Sequence, residues 1–248
     1  MCYHTSTPAK EKLQELADNQ SLRLYADYQQ TFHVSGYIRP FLPIRPSNSQ
    51  NEIQPGRWRL LPDTVKTEEQ VASFKLNTLN ARAESLFNAN TYKEHAGNHH
   101  GLLYVDGFFE PHKPEREVVE NGKIVKKIDS KAKSENYYIF KPNKEIFTLG
   151  ILYSPWEDEI SGDHYNTFSI ITVPANQLLQ EIHNEKKRMP LIIADDAQND
   201  WLNTTTKNGT ETFLQPYSGE LKAHKCYRVT GARGEDTNIP TVQNKIDI

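Results

Sequence analysis

A β-rich α+β fold is predicted by three features of the sequence. Short apolar runs bounded by turn residues recur along most of the chain, while only a few segments carry a helical period. Pro40, Pro43, Pro46 and Pro55 exclude a long helix from the first third, since each removes a backbone donor. Asn121-Gly122 lies between two alternating runs, a strong local signal for a hairpin with a two-residue turn.

The elements follow in order. Thr7-Pro8 ahead of AKEKLQELAD predicts a capped helix with Pro at its first position and Leu13, Leu16 and Ala17 on one face. Cys2 is then expected in a free extended tip just before that helix. Residues 29–62 read as strand and loop, through TFHVSGYI to RWRLLP. Glu68 to Phe74 suits a helix, and residues 76–82 read as an extended segment entering a short helix over 83–90. LLYVDGFF is a buried-strand candidate with a turn at Asp106-Gly107, and EVVENGKIVKK is the hairpin. NYYIF and EIFTLGILYSPW are expected to pair across residues 141–144, and TFSIITVPA is a further strand. Residues 175–183 form a helix with Leu178, Leu179 and Ile182 on its apolar face, and residues 196–202 another short one.

With 248 residues, no internal repeat and no linker-like stretch, one domain over residues 1–248 is expected. Apolar residues at 36% and charged residues at 25% exclude a disordered chain. The formal charge of −3 excludes a surface that is basic throughout, so contact with a polyanion has to be local. One local excess lies between Lys113 and Lys133, where seven basic residues face four acidic ones; a solvated hairpin and a contact to a nucleic-acid backbone both fit it. No apolar run has the length of a signal peptide or a membrane span, so an intracellular, cytoplasmic protein is expected, nucleoid-associated if bacterial. The two cysteines, Cys2 and Cys226, give neither a disulfide framework nor metal-ligand spacing. His95, His99 and His100 cluster, but no carboxylate or cysteine completes a site, and no metal is expected. The GARGED run at 231–236 lacks the lysine and serine of a phosphate-binding loop, so no nucleotide cofactor is expected either.

Cys2 is informative by position. Removal of Met1 would leave an α-amine and a thiol on one skeleton, and an α-amine with a pKa near 7.7–8 is partly neutral at pH 7. Such a 1,2-aminothiol condenses with an aldehyde to a Schiff base and closes a five-membered thiazolidine, which no internal cysteine can do.

Four separated segments carry a resemblance: Met1-Cys2, then Leu79-Asn80-Ala81-Arg82-Ala83-Glu84, then Asp106-Gly107-Phe108-Phe109-Glu110, then Ile182-His183 leading to Arg188-Met189-Pro190. In order and spacing they resemble the SOS response-associated peptidase family, the abasic-site processing proteins. The resemblance implies a barrel-like mixed sheet with peripheral short helices, a monomer, and single-stranded DNA containing abasic sites as partner. It implies Cys2 as the nucleophile, Asn80 holding the N-terminal residue and the sugar, Glu110 as the catalytic carboxylate, and His183 as the histidine that protonates the sugar oxygen and assists reversal. Arg82 and Arg188 match phosphate-binding positions, a task suited to the guanidinium fork. Lys187, beside Lys186, extends that basic stretch, and Trp58 offers an aromatic face for a base, or else a core anchor. The chain departs from the family at Tyr3-His4, where relatives commonly carry Gly-Arg, and at Pro111, where they carry Trp. Two other readings fit the same residues: an N-terminal-nucleophile hydrolase in which the Cys2 thiolate attacks a carbonyl, and a non-catalytic single-strand binding module.

Overall fold

A computed structural model gives the structure of residues 2–229 and 235–246. Met1, whose removal is expected, and most of the GARGED run lie outside the described residues. Strands β1 (His4–Ser6), β2 (Arg23–Leu24), β3 (Val34–Ser35), β4 (Phe41–Pro46), β5 (Glu52–Trp58) and β6 (Asn80–Arg82) occupy the first third, with helices α1 (Lys10–Asn19) and α2 (Glu68–Ser73). Then come β7 (His100–Val105), β8 (Gly107–His112), β9 (Glu115–Glu120), β10 (Lys123–Ile128), β11 (Glu135–Phe140), β12 (Phe147–Glu157) and β13 (His164–Pro174). The C-terminal part holds α3 (Gln177–Ile182), β14 (Arg188–Pro190), β15 (Ile192–Ile193), α4 (Gln198–Asn203), α5 (Lys207–Phe213) and β16 (Lys222–Cys226).

The architecture is α+β and mostly β, as the sequence predicts. Five strands close into a barrel-like circuit: β5 pairs β4, β4 pairs β7, β7 pairs β12, β12 pairs β13, and β13 returns to β5 in parallel. Closure removes the exposed edges that such short strands would otherwise present. Phe168 and Trp58 face each other in the closing register and stack at 6.2 Å inside the core. Proline is accommodated in the circuit because Pro43 sits opposite Pro55, so neither strand loses a donor that its partner needs there. A second sheet runs in the order β16-β11-β8-β1-β3.

Several local expectations are corrected. Cys2 is not in a free tip: it is fully buried and leads directly into β1, which lies between β8 and β3. The strand forms because Thr5 and Ser6 satisfy their hydroxyls inside the sheet, Thr5 Oγ1 donating to the Gly107 carbonyl at 2.9 Å and Ser6 Oγ meeting the Tyr138 hydroxyl at 3.2 Å. Helix α1 begins at Lys10, two residues beyond Pro8, because Thr7 is held by Thr31 instead of capping. Residues 83–85 form only a 3-10 turn, so the helix expected to Asn90 is absent. β11 and β12 do not pair with one another. A 3-10 turn at Pro142–Lys144, with Asn143 and Lys144 at positive φ, sends them into different sheets. The β9–β10 hairpin forms as predicted, with Asn121 and Gly122 both at positive φ as its tight turn requires. No helix among the described residues is long and apolar enough to cross a membrane.

Candidate active site

The site forms where the two sheets and α3 meet. Strand β8 carries Glu110, and its ladder with β1 pairs His4 with Phe109, which brings the chain ahead of β1 alongside Glu110. Both Cys2 and Glu110 are fully buried. Burial, reinforced by the negative charge of Glu110, pushes the Cys2 thiol well above its ordinary range, so in the chain carrying Met1 it is a protonated thiol. Its Sγ points toward the His4 carbonyl oxygen at 3.7 Å. Desolvation also pushes the Glu110 carboxyl up to about 7, which leaves it shared between acid and base forms at neutral pH.

His183 enters from the end of α3. Asn176 caps that helix by accepting from the Leu179 amide at 3.0 Å, Leu179 and Ile182 fix its apolar face, and His183 is the buried C-cap. Nδ1 lies 2.9 Å from the Arg188 carbonyl oxygen and 3.5 Å from Glu110 Oε2. A carbonyl can only accept, so Nδ1 carries the hydrogen and the lone pair of the neutral ring is on Nε2. Burial lowers the imidazole to about 4, so the Glu110 contact is not an ion pair at neutral pH.

Asn80 and Arg82 come from β6, which lies parallel to β13 with Asn80 opposite Ile170 and Arg82 opposite Thr172. Strand alternation sends the fully buried Ala81 into the core and leaves Asn80 and Arg82 on the other side. That side lines a cleft of about 360 Å³ together with Tyr3, Asn77 and Tyr92. Both amide atoms of Asn80 are buried without a hydrogen-bond partner among the described residues. Such a group is costly to leave unpaired and is poised for a ligand. The Tyr92 hydroxyl donates to the Asn80 carbonyl at 3.1 Å, fixing the strand beneath it.

The remaining residues divide. Arg82 is exposed at the cleft, and Lys186 and Lys187 are exposed on the turn after α3, where the Lys186 charge reaches both Glu110 and His183. Arg188 is engaged internally, pairing with Glu84 through Nη1 and donating to the Thr172 carbonyl and hydroxyl through Nη2. Trp58 offers no face to a base. It is fully buried, and its Nε1 donates to the Leu79 carbonyl at 2.9 Å, so it anchors the backbone one residue before Asn80. Sequence reasoning missed Tyr92, Asn77 and Thr172, none of which lies in a motif, and could not see that Tyr3 stacks on Tyr37 at 5.1 Å. His95 and His99 face each other through their Nδ1 atoms at 2.9 Å, while His100 turns to the Ala96 and Thr204 carbonyls. Among the described residues no group of three or more ligating side chains could hold a metal.

Comparison with known proteins gives a consistent result. The family described as SOS response associated peptidase (SRAP) matches residues 1–232. The abasic site processing protein YobE of Bacillus subtilis (strain 168) is 27% identical over 194 residues, covering 76% of this chain and 78% of that protein. The abasic site processing protein YoqW of the same organism is 28% identical over 194 residues, 76% of each. A crystal structure of a protein from Bacteroides thetaiotaomicron superposes with a TM-score of 0.80 at 26% identity, over 99% of this chain and 100% of that one.

Proposed function

The chain belongs to the SOS response associated peptidase family, and from that premise we propose that it captures abasic sites in single-stranded DNA as a covalent adduct of Cys2. The observation that carries this reading is the buried group of Cys2, Glu110 and His183, in which a carboxyl near pH 7 lies 3.5 Å from a neutral histidine and acts electrostatically on the thiol.

The chemistry requires Met1 to be gone. The freed α-amine of Cys2 adds to the aldehyde carbon of the ring-opened sugar, giving a carbinolamine. Glu110, as acid, protonates the departing hydroxyl, and one water leaves as the imine forms. The thiol then adds to the imine carbon while its proton passes to the nitrogen, closing the thiazolidine. The net change is aldehyde plus aminothiol to thiazolidine plus one water. His183 Nε2, its lone pair set by the Nδ1 bond to Arg188, takes the hydroxyl proton of the closed sugar and passes it to the ring oxygen as the ring opens, and the same transfer runs backward on the return path. Asn80, with one donor and one acceptor both unengaged, holds the N-terminal residue and the sugar. Arg82 holds a flanking phosphate, and Lys186 and Lys187 add positive potential beside it.

The order of steps follows from the chemistry of a 1,2-aminothiol, in which imine formation by the α-amine creates the carbon that the thiol then attacks. A peptidase needs a thiolate as its opening nucleophile, whereas here the thiol is called on only after the imine has formed.

The test is incubation of Met1-processed protein with a single-stranded oligonucleotide containing one abasic site. A denaturant-resistant band is expected from the native chain and none from Cys2→Ala. Full retention of the band by Cys2→Ala removes the reading, and release of amide products with an acyl adduct on Cys2 replaces it with a hydrolase.

A further inference from the structure

A second pocket, of about 200 Å³, adjoins the cleft and shares Leu76, Asn77 and Thr78 with it. Arg39, Arg59 and Lys75 converge on this pocket, together with Tyr37. The active-site chemistry uses none of them.

Arg59 is the unusual member. Its φ of 148° lies in a region that L side chains rarely adopt, a backbone strain of the kind that clusters at ligand-binding positions. Its side chain is buried, with the residue only 6% exposed. Nη2 donates to the Phe74 carbonyl, and the guanidinium lies 4.8 Å over the Phe74 ring. Nη1 is buried and has no partner among the described residues. Arg39 is likewise held at positive φ, 56°, at the end of a 3-10 turn.

A buried arginine is ordinarily matched by a carboxylate or by a full set of acceptors. Here the Phe74 and Leu76 carbonyls satisfy Nη2 alone, no carboxylate among the described residues pairs with it, and other cations gather round the guanidinium. Burial and the charges of Arg39 and Arg57 lower Arg59 to about 10, still charged at neutral pH. Arg57 has its own partners in Glu68 and Tyr165, whereas Arg39, Arg59 and Lys75 make no ion pair among the described residues. An anion of two or more oxygens entering the pocket would satisfy Nη1 and offset this repulsion together.

We infer that Arg39, Arg59 and Lys75 form a phosphate subsite that takes a backbone phosphodiester of the strand whose sugar occupies the adjoining cleft. Tyr37, 59% exposed and stacked on Tyr3, stands between the two pockets with a ring face available to the intervening base. The identity of the anion as a DNA phosphate rests on the reading above; the charge trap itself does not.

The experiment measures non-covalent binding of a labelled oligothymidylate lacking abasic sites, across a salt series, on the Cys2→Ala background. No adduct can form there, so failure of the crosslinking chemistry, which the native chain reports separately, is distinguishable. Arg59→Gln is expected to weaken binding by about tenfold and to make the slope of log K against log salt shallower by about 0.7, the share of one single-strand phosphate. Arg59→Gly, which the backbone favours, is expected to raise the melting temperature while weakening binding in the same way. Unchanged affinity and slope in both variants overturn the subsite. In a parallel arm inorganic phosphate is the probe: a melting-temperature rise with phosphate that Arg59→Gln abolishes, while oligothymidylate binding is indifferent to Arg59, reassigns the pocket to a free anion and overturns the strand assignment.

Discussion

His183 Nδ1 donates to the Arg188 carbonyl at 2.9 Å while standing 3.5 Å from Glu110 Oε2. One backbone oxygen thus fixes the tautomer of the ring, and the carboxylate beside it meets a neutral neighbour. Burial holds the imidazole at about 4 and the carboxyl at about 7, the reverse of the order expected for a His–Glu ion pair. Nitrogen-resolved NMR titration of the imidazoles is expected to show the Nδ1–H form of His183 persisting to pH 5, and protonation near 6.5 would contradict this.

Glu110 gives the reaction a pH signature. As acid it acts in the protonated form, which is lost as pH rises through about 7. Single-turnover crosslinking rates, taken as the ratio of the native chain to Glu110→Gln, are expected to be about 10²-fold or more below pH 7 and to decline above it. A pH-independent ratio would deny the carboxyl its proton-transfer role.

The proximity of Cys2, Glu110 and His183 joins residues that the sequence had singled out, while Asn80 lies in the cleft lined by Tyr3. Cys2, Asn80, Glu110 and His183 stand in local motifs, and local chemistry also foretold the Asn121-Gly122 hairpin and the helix ahead of His183. What depends on partners distant in sequence was not legible. Cys2 looked like a free tip because nothing in His4-Thr5-Ser6 announces a strand; only pairing with β8 and β3 makes these residues β1 and buries the chain ahead of them. Trp58 between two arginines left a stacking face and a core anchor both open, and only closure of β5 on β13, which turns its ring inward, decides for the anchor. The separation of β11 from β12 rests on two positive-φ residues, Asn143 and Lys144, neither of them glycine.

Stability is expected to fall in acid. His4, His33 and His183 are held neutral by burial, at about 4, 3 and 4 against 6.5 when unfolded. The unfolded chain binds these protons first, so the penalty is absent above about 6.5 and grows as pH falls toward those folded values. Glu110 and Asp106, raised to about 7 and 6, act oppositely, stabilising the fold when protonated and losing that contribution as pH rises through those values. Melting temperature against pH should therefore lose part of its acid slope in His33→Gln and part of the opposing slope in Glu110→Gln. An unchanged acid slope in His33→Gln would show that burial against His4, whose ring meets it at 2.9 Å, does not hold His33 below its unfolded value.

The strand beneath Glu110 depends on a close approach. A Cβ on Gly107 would overlap the ring of Tyr138, itself buried and packed between Phe109 and Phe140. Gly107→Ala is expected to destabilise by about 1–3 kcal/mol, as overpacking does. Denaturant titration measures it, and a change below 0.5 kcal/mol (about the size of a neutral surface substitution) would show that the ring is free to move.

The most direct test of the account is the mass of the N-terminal peptide recovered after the crosslinked DNA strand is trimmed to its sugar. Thiazolidine formation leaves a peptide that begins at Cys2, lacks Met1, and carries the sugar aldehyde less one water, with both the α-amine and the thiol blocked. A peptide that retains Met1, or an adduct on a lysine with the Cys2 thiol still free to alkylate, would contradict it.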